Sequence, residues 1–131
     1  MILLSLVVVT ALSACAEPES ADPDWIGGRE IYATCAACHG KAGEGGVGPA
    51  LSTVRETFPD CDEHKRWISL GSVRWKEQVG ETYGAKGSVV NGAMPAFNDL
   101  SDVQLGQIAM YERVRFGGAD QEAESAACGL G

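Results

Sequence analysis

Cys35-Ala36-Ala37-Cys38-His39 is the stretch of this 131-residue chain whose residue types and spacing define a chemistry. Residues three apart share one face of a helical turn. From that face both sulfurs can reach the two vinyl groups along one side of a porphyrin. The next residue, His39, is then carried beneath the ring and can set an imidazole nitrogen on the iron. This spacing is the attachment signature of covalently bound haem. With five Cys and two His in the chain, chance would produce it about 0.003 times.

Two further residues can serve that iron. Pro49 stands ten residues after His39, and its carbonyl can accept from the free N–H of the imidazole, fixing the tautomer and making the other nitrogen a better donor. The plainer alternative is a Gly-Pro turn with no part in ligation. Met94 precedes Pro95, which biases it away from helix toward extended backbone. From a loop flanked by Gly92 and Ala93 its thioether can approach the iron from the side opposite His39. A buried methionine is more commonly core filler, and Met110, beside Tyr111 within a helical pattern, reads that way or as surface.

Competing arrangements use the same residues. Cys35 and Cys38 with Cys61-x-x-His64 form a Cys3His set of zinc-like spacing, but it leaves His39, Pro49 and the Met94 loop unexplained. His64 could replace Met94 as distal ligand, although within DEHKRWISL a solvated or capping histidine is ordinary. Gly43 to Gly48 spells G-x-G-x-x-G, yet follows no strand and opens no helix, so the dinucleotide reading lacks its context. It is expected to be a flexible loop near the haem edge, with Lys41 solvated. A thioredoxin-like thiol pair would need a βαβ pattern around it, and none is present.

Two helices must position these groups. The first is expected from about Pro23 to Cys35, capped by Asp22 or Asp24, with Trp25, Ile26, Arg29 and Tyr32 at three-to-four spacing. Gly27 and Gly28 are poor helix formers and make sense where another helix crosses closely. That second helix opens on the capping box Ser101-Asp102-Val103-Gln104. It carries Leu105, Ile108, Ala109 and Glu112 on one face and ends at Gly117-Gly118, with Arg113 and Arg115 complementing its dipole.

The ends of the chain have a different character. Met1 to Ala14 is apolar and uncharged, too short for a spanning helix but suited to a signal peptide. It runs into Leu12-Ser13-Ala14-Cys15, which looks like a bacterial lipoprotein box with Cys15 as the lipid anchor. Plain secretion with Cys15 a free or bridged thiol, or a retained membrane anchor, are the alternatives. Each version exports the chain. Residues 15–24 read as the anchor cysteine and a flexible acidic linker, and residues 119–131 as a polar tail. The net charge is −8, but seven acids without a base sit in these two segments: Glu17, Glu19, Asp22, Asp24, Asp120, Glu122 and Glu124. The centre is nearly neutral, and a nucleic-acid partner is not expected. In an exported chain the remaining Cys61 and Cys128 tend to pair. Their bridge would close about 67 residues and contribute about 3–4 kcal/mol; two unpaired thiols are the alternative.

From about Asp24 to Gly118 the chain resembles a class I c-type cytochrome. CAACHG at Cys35 to Gly40, GPAL at Gly48 to Leu51, GAMPAF at Gly92 to Phe97 and the helix after Ser101 carry the likeness. The region from Ser52 to Val90, with Arg55, Trp67, Trp75 and Tyr83, matches only in position. The resemblance implies an all-α small cytochrome c fold over residues 25–118, with N- and C-terminal helices crossing and loops wrapped around one covalent haem c. It implies His39 and Met94 as axial ligands, and an electron carrier rather than an enzyme. The expected partners are redox donors and acceptors of respiratory complexes outside the cytoplasmic membrane, with membrane attachment through Cys15 and no small-molecule substrate. The alternatives are a haem subunit of a larger oxidoreductase, or a ligand-binding sensor or enzyme with a labile Met94.

Overall fold

A computed structural model of the chain describes residues 20–131. The expected signal segment 1–14, Cys15 and the linker up to residue 19 lie outside the described residues. Helix α1 runs Pro23–His39. Asp22 caps it, its side chain accepting from the amides of Asp24 at 2.7 Å and Trp25 at 3.4 Å. Pro23 fills the first turn, where no amide is needed. The helix is a turn longer than the sequence predicts, carrying the whole Cys35-to-His39 motif, and it takes Pro23 and Asp24 out of the expected linker.

Helix α2 (Val54–Thr57) is a single turn. Helix α3 (Cys61–Gln78) is capped by Asp60 and breaks at Gly71, whose φ is 60° and ψ −178°. A two-residue hairpin follows, Thr82–Tyr83 (β1) antiparallel to Ser88–Val89 (β2). Helix α4 (Asp102–Arg115) opens on the Ser101–Gln104 capping box, with bonds of 2.9 and 3.3 Å. A fifth helix, α5 (Gln121–Ala127), is capped by Asp120. The polar tail of residues 119–131 thus contains a helix that the sequence does not announce, and it is pinned at Cys128.

Helix α4 is the centre of the fold. It lies against α1, α3 and α5, and Ile108, Ala109 and Met110 have no exposed surface. Where α1 crosses it, Gly28 meets the Gln107 carbonyl and the Tyr111 side chain so closely that a methyl on Gly28 would stand 2.6 Å from Tyr111 Cβ. Trp25 and Tyr32 flank the crossing against Tyr111, with ring centroids 4.7 and 5.6 Å apart. Gln107 Nε2 donates to Asp24 at 2.8 Å. The fold is all-α, as the resemblance implies, but the helix crossing α1 is not the last one.

The far side of α4 is held by α5. Gly106 leaves room for the Cys128 carbonyl and the Leu130 side chain. Glu124, among the acids counted above as lacking a base, is buried on Arg113, and Arg55 reaches it at 3.3 Å. Arg113 also donates to the carbonyls of Phe58 and Pro59. Cys61 at the start of α3 and Cys128 at the end of α5 are joined, with Cα atoms 5.3 Å apart.

Candidate haem-attachment site

The last turn of α1 carries Cys35, Cys38 and His39, all half-buried, and both cysteines are unpaired. Burial first, and the Glu112 carboxylate second, push the Cys35 thiol up to about 12. The helix stops at Gly40, whose φ of 82° suits glycine. Its carbonyl accepts from the Tyr32 hydroxyl at 2.6 Å.

The chain then folds back on the motif. Gly45 N donates to the His39 carbonyl at 2.8 Å and Gly48 N to the Cys38 carbonyl at 2.9 Å, while Leu51 N reaches Gly43 O at 2.8 Å. The Gly43–Gly48 segment is therefore a hydrogen-bonded brace rather than the flexible loop expected. A methyl on Gly48 would stand 2.8 Å from His39 Cε1, so the absent side chain is what lets the backbone lie against the ring. His39 Nδ1 stands 2.8 Å from the Pro49 carbonyl. A carbonyl can only accept, so Nδ1 carries the proton and Nε2 keeps its lone pair for a metal.

Met94 is half-buried and packs on the same apolar cluster as Cys35 and Ala36, around Ile68, Ile108 and Met110. Two unpaired thiols and an imidazole with a free lone pair at one helix end, with a thioether packed on the shared cluster, form a donor set that fits covalent haem.

The zinc alternative does not assemble, because Cys61 is joined to Cys128. Nor is His64 solvated or capping. It is 2% exposed, stacks on Phe58 at 5.1 Å and lies 3.1 Å from Glu112 through Nε2. Its Nε2 is thus held by Glu112, and its Nδ1 is buried without a hydrogen-bond partner among the described residues. Among the described residues no group of three or more His, Cys, Asp or Glu could hold a metal ion. The middle region packs on itself: Trp67 stacks on Tyr83 at 4.3 Å, and Trp75 donates to the Thr82 carbonyl at 2.8 Å. Lys41 is exposed.

Three residues beside these groups have partners that the sequence does not announce. Glu112 follows the apolar spacing of α4, and its partner His64 lies on another helix. Gly71 and Ser72 stand within a helical pattern, where an isolated glycine is a costly choice. Ser72 donates to the Met94 carbonyl from both its amide, at 3.0 Å, and its hydroxyl, at 3.2 Å.

The family described as cytochrome c oxidase, cbb3-type, subunit III matches residues 23–111, more than half of the chain. Cytochrome c-552 of Schinkia azotoformans is 49% identical over 39 residues, covering 30% of this chain and 66% of that protein's length. No solved structure matches. These matches fall on a chain whose helices bring the attachment motif and its brace together, and the chain belongs to this family of c-type cytochromes, which carry covalent haem for electron transfer.

Proposed function

We propose that the protein is a single-haem, lipid-tethered electron carrier on the outer side of the cytoplasmic membrane, exchanging electrons with respiratory complexes. When bound, the haem supplies a one-electron Fe(II)/Fe(III) couple. Cys35 and Cys38 would be the attachment thiols, and His39 and Met94 would hold the iron, the ligand set of a class I cytochrome. The Pro49 carbonyl holds His39 in the tautomer that leaves Nε2 free. Were His39 and Met94 both to hold the iron, no coordination site would be left for a small-molecule substrate. A thioether ligand favours the reduced state, and burial disfavours extra charge; both raise the potential. The observation that carries the reading is the 2.8 Å bond between His39 and Pro49 at the end of a helix bearing two free thiols.

The optical spectrum of the matured protein beside Met94→Ala tests it. Loss of the weak far-red sulfur–iron band and a lower potential in the variant are expected. An unchanged spectrum rules out Met94 ligation. Prompt carbon monoxide binding by the reduced protein at neutral pH would instead favour a sensor or enzyme.

A second reading has its own support. The matching family is described as an oxidase subunit, which favours a fixed haem-bearing module over a free shuttle. Salt-resistant copurification with an integral membrane complex would establish it. Export through residues 1–14 and lipidation at Cys15 belong to the same proposal, and the mass of the N-terminal peptide from a membrane preparation reads both.

A further inference from the structure

The break in α3 sits where the Met94 loop arrives. An unbroken helix through Gly71 would pair the Ser72 amide with the Ile68 carbonyl four residues back. With φ 60° and ψ −178°, Gly71 lies in a backbone region essentially reserved for glycine. Both groups are thereby turned toward the loop. Ser72 N donates to the Met94 carbonyl at 3.0 Å, and Phe97 N donates to the Ile68 carbonyl at 3.2 Å. The Ser72 hydroxyl adds a second bond to the same Met94 oxygen at 3.2 Å. The loop from Met94 to Phe97 is thus spliced into a gap in the helix ladder.

The splice tolerates no added atom at Gly71. A methyl there would stand 2.6 Å from Met94 O, Pro95 C and Ala96 N alike, all of them backbone, none able to swing aside. Ser72 is 2% exposed, so its hydroxyl is not exchanging this partner for bulk water. Pro95 has no amide to contribute. Of the loop's polar groups, the Met94 carbonyl is the one that takes two donors from α3.

Resting on the reading of Met94 as distal ligand, we propose that Gly71 and Ser72 are its positioning residues. The gap in α3 seats the backbone of Met94 and so sets how tightly the thioether holds the iron. Neither residue is itself a ligand. Without them the thioether would remain in the chain but its hold would weaken. An external ligand competes with that intramolecular thioether, so its apparent affinity rises by the factor that the thioether's hold falls.

The readout is imidazole binding to the oxidised, fully matured protein, followed optically together with the far-red band. Ser72→Ala should raise imidazole affinity roughly five-fold, the worth of one neutral hydrogen bond. Gly71→Ala, where it matures, should raise it roughly ten-fold or more and weaken the far-red band. In a Met94→Ala background the Ser72→Ala change should leave imidazole affinity where Met94→Ala alone sets it. Asp120→Ala, which removes the α5 cap well along the chain from this loop, should lower unfolding stability without moving imidazole affinity.

If Met94→Ala raises the affinity but Ser72→Ala does not, the seat is not a positioning device. If Ser72→Ala acts equally with and without Met94, its effect is general loosening, and the proposal is overturned. If Met94→Ala leaves the far-red band intact, the ligand assignment itself has failed. That result is recognisable before any Ser72 variant is measured.

Discussion

Tyr32 shows how one side chain ties the attachment motif to the core. Its ring is buried between Tyr111 and Phe116, and its hydroxyl closes the Gly40 carbonyl at the end of α1. Burial, then the Glu112 carboxylate, then Cys35, Glu44 and Tyr111 raise its ionisation above the usual tyrosine range. A group that holds its proton more tightly when folded stabilises the fold below its unfolded pKa and loses that contribution as pH rises through the folded value. Tyr32→Phe should therefore destabilise the protein by about 1 kcal/mol at pH 7 through the lost hydrogen bond. The gap from wild type should narrow above about pH 10, where the unfolded phenol ionises. Denaturant midpoints at neutral and strongly alkaline pH check this; a gap that stays constant contradicts a phenol held neutral by the fold.

His64 and Glu112 mark what single residues do not reveal. His64 reads as solvated or capping and Glu112 as part of the apolar spacing of α4, yet they meet across α3 and α4 with little exposed surface. Nothing local encodes that meeting. Arg113 misleads in the same way: it reads as a dipole-complementing residue of the last turn, while the fold uses it to bury Glu124. By contrast Cys35, Cys38 and His39 stand out as an attachment motif because its elements lie in five consecutive residues. Pro49 was legible because its carbonyl needs only the right distance along the chain.

At the scale of elements, the crossing of α1 and α4 depends on one missing methyl. Gly28→Ala would drive a Cβ into Tyr111 and the Gln107 carbonyl. Overpacking of this kind costs about 1–3 kcal/mol. The variant's thermal unfolding should fall accordingly; an unchanged midpoint would mean the helices can part there without loss. The crossing could be read from the sequence because Gly27 and Gly28 contradict the helical pattern around them, and a conflict with propensity points to packing.

Helix α5 was not legible, and the reason is physical. Gln121 to Ala127 has neither length nor an apolar face, so no periodicity announces it. It is held from outside, by Asp120 at its cap, Glu124 on Arg113 and Cys128 on Cys61. Replacing Cys61 and Cys128 together by Ser should cost about 3–4 kcal/mol by releasing a 67-residue loop in the unfolded chain. Chemical denaturation under oxidising conditions measures it; equal stability of the variant and the unreduced parent would contradict a bridge that staples α5 to α3. The break in α3 was missed for a different reason. Gly71 looks like a weak spot in a helix until the Met94 loop is seen lying in it.

The whole molecule is a small domain organised around one central helix, with its attachment motif at the end of another. So small a chain buries a limited core of its own, and a large apolar prosthetic group adds surface against which several elements pack. In the glycine-rich segment Gly43–Gly48, the backbone lies against the Phe116 ring at Gly43 and against the His39 imidazole at Gly48. The acidic balance of the chain is partly structural, since Glu124 is buried in an ion pair and Asp24 accepts from Gln107.

Everything functional rests on Cys35 and Cys38 being bonded to one haem. The direct measurement is the intact mass and absorbance of protein matured with a working haem-ligation system, taken after denaturation and acid extraction. The account predicts a chain heavier by one haem that keeps its colour through extraction. A colourless chain at its bare polypeptide mass, or one that holds zinc instead, would contradict it.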